Sequence, residues 1–174
     1  MHRFNLKPAY KFPVLIFLLL ACGNITSCHS YKGKGAHQYY QVTKVVDGDT
    51  FWVNDGTEKG KKVRLIGVDA PETRRTARKE VGYYSQESKK YLTDMLLDQE
   101  VRLEYDVDPT DRYGRTLAYA YLKEGTFVNA ELVKQGFAMV MTVPPNVRFA
   151  EEFLNLQIEA RKKQRGLWKN RRTE

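Results

Sequence analysis

The sequence predicts an α+β, mainly β fold: a five-stranded Greek-key barrel of the OB type, flanked by three helices. Short segments in which apolar and polar residues alternate indicate strands, and segments with apolar residues at helical spacing indicate helices. These segments follow one another in the order β-β-β-α-β-β-α-α. A helix inserted after the third of five strands is typical of such a barrel. An open α+β sheet is the alternative architecture.

The first three strands are predicted to form an antiparallel meander that begins near Tyr39. In the first strand, Tyr40, Val42, Lys44 and Val46 share one face. Turns rich in Asp and Gly separate the strands, because these residues tolerate the tight bends of hairpins. The predicted segments are strand 39–46, turn 47–49, strand 50–53, turn 54–56 and strand 62–68.

A long polar and basic loop, 72–82, separates this meander from the remaining elements. Apolar residues at helical spacing predict a helix at about 85–97, and alternation predicts strands at 100–106 and 116–122. A short helix is expected from Asn129, a good N-cap, to Gln135, where Gly136 would end it. The last helix is expected at 148–165, ending near Gly166. Its apolar stripe consists of Phe149, Phe153, Leu156 and Ala160.

The distribution of histidine and cysteine excludes several kinds of chemistry. All three histidines and both cysteines lie within the first 37 residues, so the other 137 residues (174 minus 37) contain neither. A domain of this composition has no imidazole base, no thiolate nucleophile, no zinc site and no Ser-His-Asp triad. Any catalysis must use carboxylates, Lys, Arg, Tyr or a metal ion bound by oxygen atoms.

The amino terminus has the features of a targeting segment. Arg3, Lys7 and Lys11 form a basic region, and an apolar run from Phe12 to Ala21 follows. This run is too short to span a bilayer, which takes about 20 residues. We therefore predict a signal peptide at 1–21, a flexible tether rich in Gly, Ser and Lys at 22–38, and a folded domain at 39–170.

The end of the apolar run, Leu18-Leu19-Leu20-Ala21-Cys22, resembles the lipobox of bacterial lipoproteins. The resemblance implies that Cys22 is acylated and becomes the first residue of a membrane-anchored envelope protein. Cys28 is a weaker second candidate for that modification. An ordinary cleaved secretory signal with two incidental cysteines is the alternative, and either interpretation predicts export.

The chain is basic, with 29 Lys plus Arg against 21 Asp plus Glu and a formal net charge of +8. Removal of residues 1–21 takes away three positive charges and leaves +5. Such an excess favours nucleic acid, anionic lipid or another acidic partner, although solubility alone accounts for it equally well.

Three short motifs occur in order: Asp47-Gly48-Asp49-Thr50, Arg64-Leu65-Ile66-Gly67-Val68-Asp69-Ala70-Pro71-Glu72 and Asp111-Arg112-Tyr113-Gly114-Arg115. Each alone is consistent with an ordinary turn or hairpin. Together they resemble the staphylococcal nuclease (thermonuclease) family, and the resemblance extends from about Gln41 to Trp168. Supporting segments are Leu117-Ala118-Tyr119, Val128-Asn129, Leu132-Val133-Lys134-Gln135-Gly136 and Gly166-Leu167-Trp168.

The resemblance implies a calcium-dependent phosphodiesterase that hydrolyses DNA and RNA with little sequence specificity and leaves 3′-phosphate ends. Asp49, Asp69 and the backbone carbonyl of Ala70 would bind Ca²⁺, which prefers oxygen ligands. Glu72 would accept a proton from the attacking water. Arg64 and Arg115 would bind phosphate oxygens and stabilise the charge that develops on them. Asp47 is assigned to the turn.

Two further residues are candidates for substrate binding, and one segment that binds the nucleotide in the family is missing. Arg112 and Tyr113 match a Lys-Tyr pair that in the family contacts a substrate phosphate. The family also carries a Tyr-x-Tyr segment that lines its nucleotide pocket, whereas the corresponding stretch 141–146 reads Met-Thr-Val-Pro-Pro-Asn. Four basic residues of the loop 72–82 either contact the nucleic-acid backbone or form a solvated surface. They are Arg74, Arg75, Arg78 and Lys79.

Other interpretations stay open at this point. Arg64 and Asp69 could form a structural ion pair, and Arg115 could be a surface hairpin residue. The whole domain could be a noncatalytic module that binds single-stranded nucleic acid, or a structural lipoprotein. Neither needs the complete set of Asp49, Asp69, Glu72 and the two arginines, so the set favours the enzyme. A monomer is the default expectation.

Overall fold

The computed structural model of the protein describes residues 38–73 and 81–169. The barrel strands are β1 (Tyr39–Asp47), β2 (Thr50–Val53), β3 (Lys61–Leu65), β5 (Glu100–Glu104) and β6 (Thr116–Leu122). Two further short strands are β4 (Val68–Asp69) and β7 (Met139–Val140). The helices are α1 (Ser85–Leu96), α2 (Val128–Lys134) and α3 (Ala150–Lys162), and a 3₁₀ turn follows at Gly166–Trp168.

The five barrel strands close in the order β1-β2-β3-β6-β5. Neighbouring strands are antiparallel except β3 and β6, which pair in parallel, with Val63 opposite Thr116. The predicted barrel with three helices is confirmed, and the open-sheet alternative is wrong. Apolar residues of all five strands fill the interior, and Val42, Phe51, Val63, Val101 and Ala118 are fully buried.

The face pattern predicted for β1 is wrong in its second half. Val42 and Val45 are the residues that enter the core, at 0% and 7% exposure, whereas Val46 is only half-buried. The pairing of β1 with β2 shifts register between Val42 and Lys44 and again between Val45 and Asp47. These bulges add a residue to one strand and so change which side chains face inward.

The predicted strand 62–68 is two strands separated by a turn. β3 ends at Leu65, and Gly67 adopts a positive φ of 79°. A Cβ atom at Gly67 would lie 2.6 Å from Cε2 of Phe153, so both the bend and the contact with α3 require glycine. The chain then leaves the barrel, and β4 pairs with β7 as a separate two-stranded sheet. This departure carries Asp69 and Ala70 to the mouth of the barrel.

Asn129 is not the N-cap of α2. Phe127 occupies that position, and Asn129 lies within the first turn of the helix, fully buried. Its Oδ1 accepts a hydrogen bond from the Ala120 N–H at 3.0 Å, and its Nδ2 donates to the Ile66 carbonyl at 2.9 Å. The side chain therefore joins α2, β6 and the turn that precedes β4.

The last helix is shorter than the predicted 148–165, and Gly166 does not end it. The helix stops at Lys162, and Gly166 begins the 3₁₀ turn. Gly136 follows α2 with a φ of 73°, as expected of a helix stop. A Cβ atom on Gly166 would lie 2.3 Å from the Gly136 carbonyl oxygen, so the two glycines permit direct contact between these backbone segments.

Several predicted features lie outside the described residues. These are the signal segment 1–21, the tether up to residue 37 with Cys22 and Cys28, and Arg74, Arg75, Arg78 and Lys79 of the long loop. Among residues 38–73 and 81–169, no helix combines the length and the apolar character needed to cross a membrane.

Replacement of Asn129 tests its bridging role. Asn129→Ala would leave the Ala120 N–H and the Ile66 carbonyl buried without their side-chain partner, so we expect the free energy of unfolding to fall by about 3 kcal/mol. Urea unfolding measures this change. Asn155→Ala, at an exposed position of α3, should change stability by no more than about 0.5 kcal/mol. Equal changes in the two variants would contradict the role assigned to Asn129.

Candidate active site

A cleft of about 910 Å³ opens at one end of the barrel, beside β2, β3 and β4 and the loop that precedes β6. It brings together the eight predicted site residues that lie within residues 38–73 and 81–169. These are Asp49, Arg64, Asp69, Ala70, Glu72, Arg112, Tyr113 and Arg115. Asp49 and Arg115 are separated by 66 positions in the chain and yet line the same cleft.

Asp49 is fixed at the floor of this cleft. It is 5% exposed, and its carboxylate accepts hydrogen bonds from Thr50 Oγ1 at 2.8 Å and from the Ala70 N–H at 2.7 Å. Gly48 makes this approach possible, because a Cβ atom there would lie 2.7 Å from the Ala70 Cβ and 2.9 Å from the Ser88 Cβ. The tight turn is therefore packed against both the Ala70 segment and α1.

Arg64 lies between two carboxylates. Its Nη1 forms an ion pair with Asp49, and its Nη2 donates to Asp69 Oδ1 at 2.8 Å. Burial lowers the pKa of the Arg64 guanidinium and the neighbouring Asp69 raises it, while the charges of Arg115 and Glu72 also act on it. Arginine stays protonated even so. The ion pair of Arg64 with Asp69 is therefore present, and Asp49 is a second partner of the same guanidinium.

Glu72 is half-buried in the cleft lining and is positioned through its neighbours. Its backbone carbonyl accepts a hydrogen bond from the Gly82 N–H at 2.9 Å, which closes the base of the long loop. Thr73 Oγ1 donates a hydrogen bond to Asp47. The sequence assigns Asp47 to the turn alone, yet its carboxylate ties the Glu72 segment to the end of β1.

Gly82 is needed for the same closure. A Cβ atom there would lie 2.6 Å from the Pro71 Cβ and 3.3 Å from the Glu72 nitrogen. The chain therefore returns from the long loop directly against the segment that carries Glu72. Motif spacing gives no sign of this contact, because it depends on how the loop closes.

Arg115 is oriented by Asp111, the first residue of the third motif, to which the sequence alone assigns no role. Arg115 donates to the Asp111 carboxylate from Nε at 2.6 Å and from its backbone N–H at 3.0 Å. Burial alone would raise the pKa of Asp111, but the hydrogen bonds from Arg115 and from the Tyr113 N–H lower it. Asp111 thus stays ionised and holds both the loop and its guanidinium in place.

Arg112 and Tyr113 form an exposed pair at one side of the cleft. Arg112 Nη2 donates to the Tyr113 hydroxyl at 2.7 Å, and the Arg112 guanidinium lies 4.8 Å from the centre of the Tyr113 ring. The Arg115 guanidinium lies 5.5 Å from the same centre. Tyr113 is 64% exposed, so its ring and the two cations are open to a ligand.

A second cavity of about 490 Å³ adjoins the cleft on the side of Arg115. Its wall includes Met141, Val143, Pro144 and Pro145, and Tyr113 is the only aromatic residue among the described residues that line it. Asn146 holds this wall in place by two hydrogen bonds of 2.8 Å with the backbone of Asp108. The wall is aliphatic, as the sequence of 141–146 predicts.

The donor set fits a hard metal ion in its chemistry. Asp49 and Asp69 offer carboxylate oxygens, and both already surround one positive group, the Arg64 guanidinium. Within residues 38–73 and 81–169, no group of three or more His, Cys, Asp or Glu side chains is arranged around a common point for a metal. Any ion held there would take its further ligands from backbone carbonyls, water and substrate, which suits a cation that favours oxygen.

The Asp111–Arg115 interaction makes a prediction about pH. Because the folded state lowers the pKa of Asp111, its contribution to stability is complete above the unfolded pKa of about 3.9 and is lost as pH falls through the lower folded value. We expect Asp111→Asn to lower the free energy of unfolding by about 2 kcal/mol at neutral pH. The difference from wild type should shrink as the pH falls below that range.

Urea unfolding at a series of pH values measures this difference. Asp94→Asn is the matched control, because Asp94 forms an exposed ion pair with Lys90 on α1, and such pairs contribute little. A difference between Asp111→Asn and wild type that stays constant at low pH would show that the Asp111 carboxylate is not the cause.

Comparison with known proteins identifies the family. The profile of the family described as "Staphylococcal nuclease homologue" matches residues 62–170, more than half of the chain. A thermonuclease of Staphylococcus hyicus is 37% identical over 161 residues, which cover 90% of this chain and 94% of the relative. A thermonuclease of Staphylococcus intermedius is 42% identical over 130 residues, which cover 74% and 75%. An uncharacterized endonuclease of Haemophilus influenzae is 33% identical over 157 residues, which cover 89% and 77%. With the cleft described above, these matches show that the chain belongs to the staphylococcal nuclease family and is a nuclease of that family.

Proposed function

We propose that this nuclease is calcium-dependent, hydrolyses DNA and RNA with little sequence preference, and leaves 3′-phosphate ends. One observation carries the proposal: a buried arginine shared by two aspartates lies in the same cleft as Glu72 and Arg115. Carboxylates and guanidinium groups are among the groups that remain available for catalysis in a domain without His or Cys. They are sufficient for hydrolysis of a phosphodiester with the help of a metal ion.

Asp49, Asp69 and the backbone carbonyl of Ala70 are proposed to hold the Ca²⁺ ion. When bound, the ion would polarise the scissile phosphate and offset its negative charge. The hydrogen bond from the Ala70 N–H to Asp49 supports this proposal, because it holds two of these residues next to each other. Arg64 pairs with both carboxylates, so it would lie beside the ion and within the same cleft as the phosphate.

Glu72 is proposed as the general base. Its carboxylate would accept a proton from a water molecule as the water oxygen attacks phosphorus. The bond from phosphorus to the 5′ oxygen breaks and the departing oxygen takes up a proton from solvent, which leaves a 3′-phosphate and a 5′-hydroxyl. The contacts of Gly82 and Thr73 with this segment support the role, because a base must be held within reach of its proton.

Arg64 and Arg115 are proposed to stabilise the phosphorus centre as charge builds on its oxygens. The planar guanidinium offers two parallel donors, so lysine at either position would be a poor substitute. Asp111 fixes Arg115 before substrate arrives, which lowers the cost of ordering it. Arg112 and Tyr113, exposed beside Arg115, are proposed to bind a neighbouring phosphate of the substrate.

The first test is hydrolysis of denatured DNA by the domain from Tyr39 onward, with calcium, with chelator and after calcium is restored. We expect calcium-dependent cleavage. Glu72→Gln should lower kcat by about 10²- to 10⁴-fold through loss of the base. Arg115→Ala should lower it by about 10²- to 10³-fold through loss of a donor, and Arg115→Lys should recover little.

Two matched variants serve as controls for this test. Glu124→Gln removes an exposed carboxylate in the turn before α2, and Arg161→Ala removes an exposed guanidinium on α3, so both should retain activity. If the wild-type domain binds the strand but cleaves it under no divalent metal ion, the protein is a noncatalytic single-strand-binding module. End-group analysis of the products tests the 3′-phosphate.

We also propose that the protein is exported and anchored in the cell envelope by acylation of Cys22. The basic and apolar segments before Cys22 support this proposal. Mass analysis of the mature protein should find an acylated amino terminus at Cys22. An unmodified chain that begins after Cys28 would instead show a secreted protein.

A further inference from the structure

The cleft continues beyond the residues of the proposed chemistry, along the outer face of β2 and β3. Trp52, Lys59 and Lys62 are part of its lining there. None of them belongs to the three motifs, and none has a role in the reaction proposed above.

Trp52 faces out of the barrel. Its neighbours Phe51 and Val53 are fully buried, and side chains alternate along a strand, so Trp52 lies on the outer face, half-buried. Its cross-strand partners are Lys62 on β3 and Lys44 on β1. Residues directly opposite each other on paired strands share a face, so lysines flank the indole on both sides.

The register of β2 and β3 connects this surface to the catalytic residues. Thr50 is opposite Arg64, and Trp52 is opposite Lys62. Two residues along a strand span about 7 Å. Lys62 and Arg64 are therefore about as far apart as two neighbouring phosphates of an extended nucleic-acid strand. Because β3 lies between β2 and β6 in the barrel, Trp52 and the Arg115 loop are on opposite sides of Arg64.

The charges at this end of the cleft are available to a ligand. Within residues 38–73 and 81–169, neither Lys59 nor Lys62 forms an ion pair, whereas the Lys61 ammonium lies 5.2 Å from the centre of the Tyr40 ring. Asp55 also lines the cleft, but its carboxylate accepts hydrogen bonds from the side chain and backbone of Thr57.

The loop that carries Lys59 is held close to the indole. Gly60 has a φ of 69°, and a Cβ atom there would lie 2.8 Å from the Val53 carbonyl oxygen and 3.9 Å from Cε3 of Trp52. Glycine thus lets the loop fold back onto β2, which brings Lys59 to the same end of the cleft as the ring.

We propose that Trp52, Lys59 and Lys62 form a second nucleotide subsite, which holds single-stranded nucleic acid beside the scissile phosphate on the side away from Arg115. A base stacks on the indole of Trp52, and the two lysines contact the adjoining phosphates. Aromatic side chains within a positively charged groove bind single strands in this way. The inference rests on the proposed nuclease function for the class of ligand, and it places an aromatic contact opposite the aliphatic wall at 141–146.

Binding of a fluorescein-labelled oligothymidylate of about twelve nucleotides, measured by anisotropy in chelator, tests the subsite without cleavage. We expect Trp52→Ala to weaken binding by on the order of tenfold, and Trp52→Phe to retain most of the affinity because it keeps an aromatic face. The double variant Lys59→Gln, Lys62→Gln should reduce the slope of log affinity against log salt by about 1.4, or about 0.7 for each phosphate that a lysine no longer neutralises.

Tryptophan fluorescence gives an independent readout with an unlabelled oligothymidylate. The chain has two tryptophans, and Trp168 is 6% exposed, so quenching by the strand reports on Trp52. Trp52→Phe should therefore bind without quenching. Lys162→Gln, an exposed lysine of α3 outside the cleft lining, makes the same kind of change in charge and should leave the salt slope unchanged.

Circular dichroism of each variant establishes that it is folded. Equal affinity of Trp52→Ala and wild type, or fluorescence that does not change at saturation, overturns the subsite. These outcomes are separate from the proposed reaction, because a wild-type protein that never cleaves DNA can still show binding that depends on Trp52. Conversely, full calcium-dependent cleavage with no effect of Trp52→Ala on binding retains the nuclease function and removes this inference.

Discussion

The buried guanidinium of Arg64 is the constraint on which the site depends. A charge that is 7% exposed needs partners, and it has two, Asp49 from the first turn of the barrel and Asp69 from the strand that leaves it. Removal of one partner from a buried pair costs about 3–5 kcal/mol, so these three residues hold one another in place. Without a cation between them, the carboxylates of Asp49 and Asp69 would repel each other. The arrangement is thus a preformed place for a positive charge, which Arg64 supplies in this structure.

The fold brings these partners together through residues to which the sequence assigns no part in the reaction. The bend at Gly67 takes β4 out of the barrel, and its pairing with β7 fixes where Asp69 enters the cleft mouth. The amide of Asn129 ties the turn before β4 to β6 and α2. Asp111 does the same for Arg115, and Asp47 for the segment of Glu72. Arg115 and the segment of Glu72 are therefore each held by an aspartate that has no role in the proposed reaction.

Alternation and helical spacing predict the barrel and its helices well, since these periods record which face of each element is buried. These periods fail where tertiary contacts change which side chains face the core or what a residue type is used for. The bulges in β1 put Val45 rather than Val46 in the core, and a capping residue type at position 129 is recruited instead to bridge three segments. The motifs contain the predicted site residues of the cleft, but they assign no role to Asp111 and include neither Gly82 nor Trp52. Those roles follow from loop closure and strand register, which a single sequence does not display.

The parallel pairing of β3 with β6 has a consequence for when the cleft forms during folding. Val63 pairs with Thr116, so this contact closes a loop of about fifty residues, and long-range closure of this kind comes at a high entropic cost during folding. Arg64 lies on one of the two strands and Arg115 precedes the other. A chain in which β6 has not yet paired with β3 therefore contains no assembled cleft. Assembly of the cleft is thus coupled to the cooperative closure of the barrel, so a partly folded chain does not present Arg64 and Arg115 to one ligand.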